Sequence, residues 1–205
     1  MRYNYGSTVD VQMFLSRVNK NENISLAVAS VLTVVSFAGC GSSNSKYAKG
    51  TSYKEGVLTA DSYENASIGI GFSLPEGFEF TEVGVDAGNA EYLVVAVDAD
   101  NNNIIWTLEP GASNLNIEKT LELSLDTIVT QYEGMGFTVG ESKVTEYTID
   151  SNTYGGFYIE CEFQGVELNQ AAVLVQCDDK VVTASVTGAT VDSREILDNY
   201  FYTVG

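Results

Sequence analysis

Asn116-Ile117-Glu118-Lys119-Thr120-Leu121-Glu122-Leu123-Ser124-Leu125-Asp126-Thr127-Ile128-Val129-Thr130-Gln131-Tyr132-Glu133-Gly134-Met135-Gly136 is the stretch on which the fold turns. Ile117, Leu121, Leu125, Ile128, Val129, Tyr132 and Met135 recur at helical spacing, with Glu118, Glu122 and Asp126 on other faces. That is the pattern of an amphipathic helix with one buried stripe. Asn114 or Asn116 can accept from the orphan N–H groups at its start, and Gly134 or Gly136 ends it.

On both sides of this helix the apolar period drops to two. Upstream, Ser67 to Leu74 alternates and puts Ile68, Ile70, Phe72 and Leu74 on one face. A Pro75-Glu76-Gly77 turn follows, then Phe78-Glu79-Phe80. Glu91 to Val97 is rich in β-branched residues and reads as a strand, returning through Asp98–Asn103 into Ile104–Leu108. Downstream, Lys143–Ile149 is a strand, and Phe157–Phe163 alternates with Phe157, Ile159, Cys161 and Phe163 inward. Leu168–Cys177 and Val181–Thr187 complete the run, separated by turns at Gly165 and Asp178-Asp179-Lys180. A closing helix starts near Ser193, capped by Asp192 with Glu195 three residues on, and sets Ile196, Leu197, Tyr200 and Phe201 on one side. Strands joined by short turns are antiparallel, and amphipathic helices must bury their stripes against the sheet. The expected class is α+β: an antiparallel sheet sandwiched with a principal helix and a C-terminal helix.

Ahead of this domain, Ile24 to Gly39 is a run of apolar and small residues ending at Cys40, with Arg17 and Lys20 upstream. A basic flank, a short apolar core and small residues at the cut are the layout of an export signal. As a helix the run rises only about 24 Å, short of the ~30 Å hydrocarbon layer. Phe37-Ala38-Gly39-Cys40 resembles a bacterial lipobox, departing from it at Phe37, where an aliphatic residue is usual. The expected organisation is a signal peptide over residues 1–39, with Met13 as its start, a lipidated Cys40 with a flexible tether to residue 55, and one domain over 56–205. A plain cleaved signal and an uncleaved anchor are the alternatives. The expected location is the extracellular face of the cell membrane, with the lipid on Cys40 as the membrane contact.

The 205 residues carry 10 Lys and Arg against 28 Asp and Glu. Removing residues 1–39 takes away Arg2, Arg17, Lys20, Asp10 and Glu22 and leaves a net charge of −19. Such a surface repels phosphate backbones, so nucleic acid is not expected as a partner. No histidine is present, which removes Ser-His-Asp and Cys-His catalysis and the usual zinc and copper sites.

Leu74-Pro75-Glu76-Gly77-Phe78, the two-strand unit ending Asn103-Ile104-Ile105-Trp106-Thr107-Leu108-Glu109, the long helix, the hairpins around Tyr154-Gly155-Gly156-Phe157-Tyr158 and the closing helix stand in a recognisable order. Over residues 56–204 this resembles the PsbP/DcrB-like superfamily, especially its small lipoproteins from Gram-positive gut bacteria. The resemblance implies a binding or accessory protein. The family has no shared catalytic motif, so no functional residue carries over. An α+β domain of another lineage is the alternative.

Three candidate sites come from the residues themselves. Asp98, Asp100, Asn102 and Glu109 fall at positions 1, 3, 5 and 12 of an EF-hand loop, with Asn103 where glycine is usual. The flanks read as strands, so Glu109 sits too far down the ladder to share an ion, and a hairpin turn is the simpler reading. Cys161 and Cys177 are set apart by the strand register and read as buried free thiols. Asp178-Asp179 reads as a turn. The expected function is an exported, lipid-held, monomeric binding or accessory module with an unidentified protein or glycan partner, no cofactor and no catalysis. A carboxylate-based glycan hydrolase and a calcium-responsive module using Asp98, Asp100 and Asn102 are the alternatives.

Overall fold

The computed structural model describes residues 46–81, 90–111 and 115–205. The expected signal, Cys40 and Asn114 lie outside these. Helix α1, Ile117–Gly134, forms as its pattern requires: the Asn116 side chain accepts from the Lys119 N–H at 3.2 Å, and Ile117, Leu121, Leu125, Ile128 and Tyr132 are buried. Gly136 stops it, taking the left-handed conformation (φ 90°) that costs glycine nothing.

Seven strands form one antiparallel sheet: β4 (Glu79–Phe80), β5 (Glu91–Val97), β6 (Asn103–Pro110), β7 (Thr138–Ile149), β8 (Asn152–Phe163), β9 (Val166–Cys177) and β10 (Lys180–Gly188), in the order β4-β5-β6-β10-β9-β8-β7. β7 starts five residues before the expected Lys143, passing through a bulge between Val139 and Ser142. A second, four-stranded sheet has the order β1-β2-β3-β11, from β1 (Val57–Leu58), β2 (Ser62–Asn65), β3 (Ile70–Ser73) and β11 (Phe201–Thr203). This small sheet and helix α2 (Ser193–Tyr200) cover one face of the large sheet, and α1 covers the other.

The α1 face packs Leu121, Leu125, Ile128 and Tyr132 against Phe157, Ile159, Cys161 and Leu174. On the opposite face an aromatic cluster surrounds the fully buried Trp106. Tyr63 meets it edge-on at 5.2 Å, with Phe72 at 5.5 Å and Phe201 at 5.8 Å. Cys161 lies in the first core and Cys177 in the second, both as free thiols. No helix among the described residues is long and apolar enough to cross a membrane.

Three expectations need correction. Only Ile70–Ser73 of the alternating stretch is strand. Residues 66–69 form a turn on the Asn65 carbonyl, with Gly69 at φ 71°, yet Ile68 is still buried. Phe201 does not continue the closing helix. It begins β11 and is buried by pairing opposite Phe72. Finally, the residues from Lys46 to Glu55, expected to belong to a flexible tether, start with a docked segment. Tyr47 is buried against α1, and backbone hydrogen bonds run from Ala48 to the Thr153 carbonyl, from Gly50 to Gln176 and from Thr51 to Ser67. Gly50 permits this approach: a Cβ there would sit 2.3 Å from the Cys177 Sγ.

Candidate functional site

The Asp98–Asn102 turn joins β5 to β6 and is held by its own side chains. Asp98 accepts from the Asp100 and Asn102 backbone N–H groups, each at 2.9 Å, and from Asn102 Nδ2 at 2.6 Å. Asn102 is fully buried. Its Oδ1 accepts from the Ala189 and Thr190 N–H groups at 2.7 and 3.1 Å, and its Nδ2 also donates to Thr190 Oγ1. The left-handed residue is Asn101 (φ 64°), whereas Asn103, at the EF-hand glycine position, already pairs in β6. Glu109 lies at the other end of β6, opposite Val181. The structure therefore brings Asp98, Asp100 and Asn102 together around Thr190, as a clamp on the loop after β10, and leaves Glu109 roughly 20 Å away at ~3.3 Å per residue. Among the described residues no group of three His, Cys, Asp or Glu could hold a metal ion.

The clamped loop is one wall of a cavity of about 540 Å³. Asn169, on β9, pins the same loop from the other side, donating to the Gly188 and Val191 carbonyls and accepting from the Ser193 N–H at 2.6 Å. The floor is the end of β8 and β9, with Glu160, Glu162 and Glu167. Tyr158 and Arg194 divide this cavity from a second hollow of about 280 Å³ that includes Lys143.

Tyr158 is the centre of the arrangement. The Arg194 guanidinium lies 4.1 Å from its ring centroid and Lys143 Nζ lies 5.8 Å away, within cation–π range. Its hydroxyl donates to Glu160 Oε1 at 2.8 Å, and burial pushes the phenol well above its ordinary range. Arg194 is clasped in turn by Asp192, with Nε to Oδ1 at 3.1 Å and a terminal nitrogen to Oδ2 at 2.9 Å. That pairing holds the Asp192 carboxyl below the usual range. Asp192 also caps α2 by accepting from the Arg194 N–H. The result is a preformed, mostly acidic concavity with one aromatic side chain and one neutralised cation.

Tyr158, Arg194 and Asn169 carry no motif. The available signal was scarcity: Arg194 and Lys143 are two of only seven cations beyond Cys40. On the opposite face of the sheet Glu109 is buried, and its Oε1 has no hydrogen-bond partner among the described residues. Burial raises its carboxyl to about 7. Cys161 and Cys177 are both pushed up to about 11 by burial, the inert direction for a thiol.

No family model matches the chain, and no curated protein matches it. Solved structures similar to it include a protein of Bacteroides thetaiotaomicron VPI-5482 at 8% identity and TM-score 0.41, covering 72% of this chain. The chain spans 50% of that protein's length. LpqN of Mycobacterium tuberculosis, described as involved in cell envelope biogenesis, is 12% identical with TM-score 0.46, covering 66% of this chain and 83% of its own. The PsbP protein CyanoP of Synechocystis sp. PCC 6803 is 15% identical with TM-score 0.38, covering 67% and 85% respectively.

Proposed function

We propose that this chain is an exported protein, held at the outer face of the cell membrane by lipid on Cys40, whose PsbP-like domain binds a partner instead of catalysing a reaction. The observation that carries the binding role is the cavity beside Tyr158 and Arg194, whose loop wall is fixed in advance by two asparagines, one in the β5–β6 turn and one on β9. A wall already ordered costs little entropy when a ligand arrives. The partner is a protein or glycan of the envelope.

A carboxylate-pair hydrolase fits this geometry less well. One carboxyl of such a pair must be raised to act as the acid. In the cavity Asp192 is shifted down, and the raised carboxyl, Glu109, is on the other face of the sheet. The Asp98–Asn102 turn serves here as the clamp on the loop wall.

Two measurements test the reading. Intact-mass analysis of membrane-extracted protein is expected to show a species beginning at Cys40 with added hydrocarbon. A species still starting at Met1 or Met13 would overturn the anchor. A photo-cross-linker at Thr190, in cells making the anchored form, is expected to capture one discrete protein or glycan that Tyr158→Ala and Arg194→Ala variants lose. Capture of nothing, or of the same species from exposed Leu123 on the opposite face, would overturn the site.

A further inference from the structure

Helix α1 covers only part of its face of the large sheet. It reaches the sheet through β7, β8 and β9, and its stripe lies over Phe157, Ile159 and Leu174. The same face continues across β10, β6 and β5. There Thr183 pairs opposite Thr107, Ser185 opposite Ile105, and Ile105 opposite Val95. Val95 and Ile105 form an apolar cluster of their own, whose partly buried apolar neighbours among the described residues are Tyr92 and Val97 of β5. No described helix lies over it, since α2 and the small sheet are on the other face.

That part of the face is nevertheless closed to water, where an uncovered antiparallel face would be solvated. Val95 is 3% exposed and Ile105 4%, and Thr107, Thr183 and Ser185 are buried as well. The bordering flank of α1 is closed too. Glu118 turns toward β7, where Lys46 bridges it to Glu146. Thr120 and Ser124 lie about 160° and 120° around the helix from Glu118, at ~100° per residue. They therefore face away from β7, toward β10, and both are buried. The result is a trough with the three strands as its floor and α1 as one wall.

We infer that this trough is a seat for the chain's own apolar leader, Ile24–Gly39, which fills it until the cut before Cys40 and leaves it open on the mature protein as a second interaction surface. The chain enters on this face. Tyr47 is buried against Leu115, Ile117 and Leu121, and a Cβ on Gly155 of β8 would lie 3.0 Å from its ring. From β8 to β6 is three strand spacings, ~14 Å at ~4.8 Å each. The backbone from Cys40 to Lys46 spans up to about 20 Å at ~3.3–3.6 Å per residue. The leader brings eight large apolar side chains and no charge. Residues 82–89 and 112–114 bring two valines and two alanines, too little apolar volume for a floor three strands wide. The seat is independent of what the cavity beside Tyr158 binds, and only its opening rests on cleavage before Cys40.

The test uses the full chain carrying Cys40→Ser, purified with its leader still attached. A photo-cross-linker at Val34 should link, within the same chain, to peptides of β5, β6 or β10. Links only between chains, only to other elements, or none at all overturn the seat. Carbene footprinting should label Val95 and Ile105 as weakly as Ile159, which α1 covers. In a Val31→Glu/Val35→Glu variant, labelling at Val95 and Ile105 should rise several-fold while Ile159 stays silent. Unchanged labelling would mean that another segment fills the trough, and an equal rise at Ile159 would mean that the leader acts on the whole core; either overturns a local seat. A seated leader in a protein whose wild type is never cut before Cys40 leaves the seat standing and overturns its opening.

Discussion

On one face of the seven-stranded sheet α1 lays an aliphatic stripe over Phe157, Ile159 and Leu174. On the other, Tyr63, Phe72 and Phe201 close around Trp106. The first cover is a single continuous segment whose buried face is set by local periodicity. The second is assembled from residues 62–73 and 193–203, which approach only when both ends of the domain have found the sheet. One face depends on local order and the other on long-range closure, so the second should be the harder to perturb without loss of the whole fold.

Adjacent glycines on β8 probe the two faces separately. A Cβ on Gly156 would sit 2.0 Å from the Ala172 carbonyl oxygen and 2.8 Å from the Tyr147 ring, on the aromatic side. A Cβ on Gly155 would meet the ends of the Leu121 and Ile117 side chains at 2.8 and 3.1 Å, on the α1 side. Backbone in a sheet cannot give way, whereas side-chain ends can turn. Gly156→Ala should therefore cost ~4 kcal/mol or leave no folded protein, and Gly155→Ala ~1–2 kcal/mol. Urea unfolding of both variants checks this, and equal losses would remove the contrast between the faces.

Much of this division was legible. The α1 stripe and strands β5, β6, β8, β9 and β10 declare themselves through periods of 3.6 and 2, because each buries a regular face. β2, with Tyr63 and Asn65 as its buried residues, and three-residue β11 are too short and too polar to show a period. Their strand character comes from pairing with β3. The docked segment read as a tether because its hold is backbone hydrogen bonding and a glycine's close approach, neither of which leaves an apolar pattern. Of the site, the Asp98–Asn102 turn was visible through its Asx chemistry, but its clamp on Thr190 joins residues 88 apart in sequence. Tyr158 and Arg194 meet only because α2 folds back over β8.

On the α1 side of the sheet the buried Glu109 has an Oε1 with no hydrogen-bond partner among the described residues, which gives that face a pH signature. The folded Glu109 pKa is raised from 4.5 to about 7, so between those values the folded state binds more protons than the unfolded chain. Stability from this group is complete below pH 4.5 and falls as pH rises through 7, by ~3 kcal/mol at ~1.4 kcal/mol per unit. Glu109→Gln lacks this titration, so wild-type stability minus that of the variant should fall as pH rises across that window. A wild-type-minus-variant curve with no slope between pH 5 and 7.5 would mean that Glu109 is hydrated.

Asn102→Ala should loosen the cover on the aromatic side only. It removes the acceptor for two backbone N–H groups of the loop that leads into α2, a loss of ~2 kcal/mol. Amide exchange should quicken at residues 189–193 while α1 stays protected. Millimolar calcium should leave the wild-type melting temperature unmoved. A rise abolished by Asp98→Asn would restore the calcium reading of this turn.

The smallest effect is a difference in thiol reactivity, and it reports on the docked segment directly. Each face holds one cysteine, and at neutral pH both are almost wholly protonated as well as buried, so neither should react with a disulfide reagent in the folded protein. Cys161 is covered by α1. Cys177 sits under Gly50, with its Sγ toward the Ser67 carbonyl at 3.7 Å. Gly50→Ala should push residues 46–51 off the end of the sheet, and Cys177 should then label several-fold faster while Cys161 stays silent. Equal acceleration at both thiols would mean that the substitution acts through global unfolding. No change at Cys177 would mean that residues 46–51 do not cover that end of the sheet.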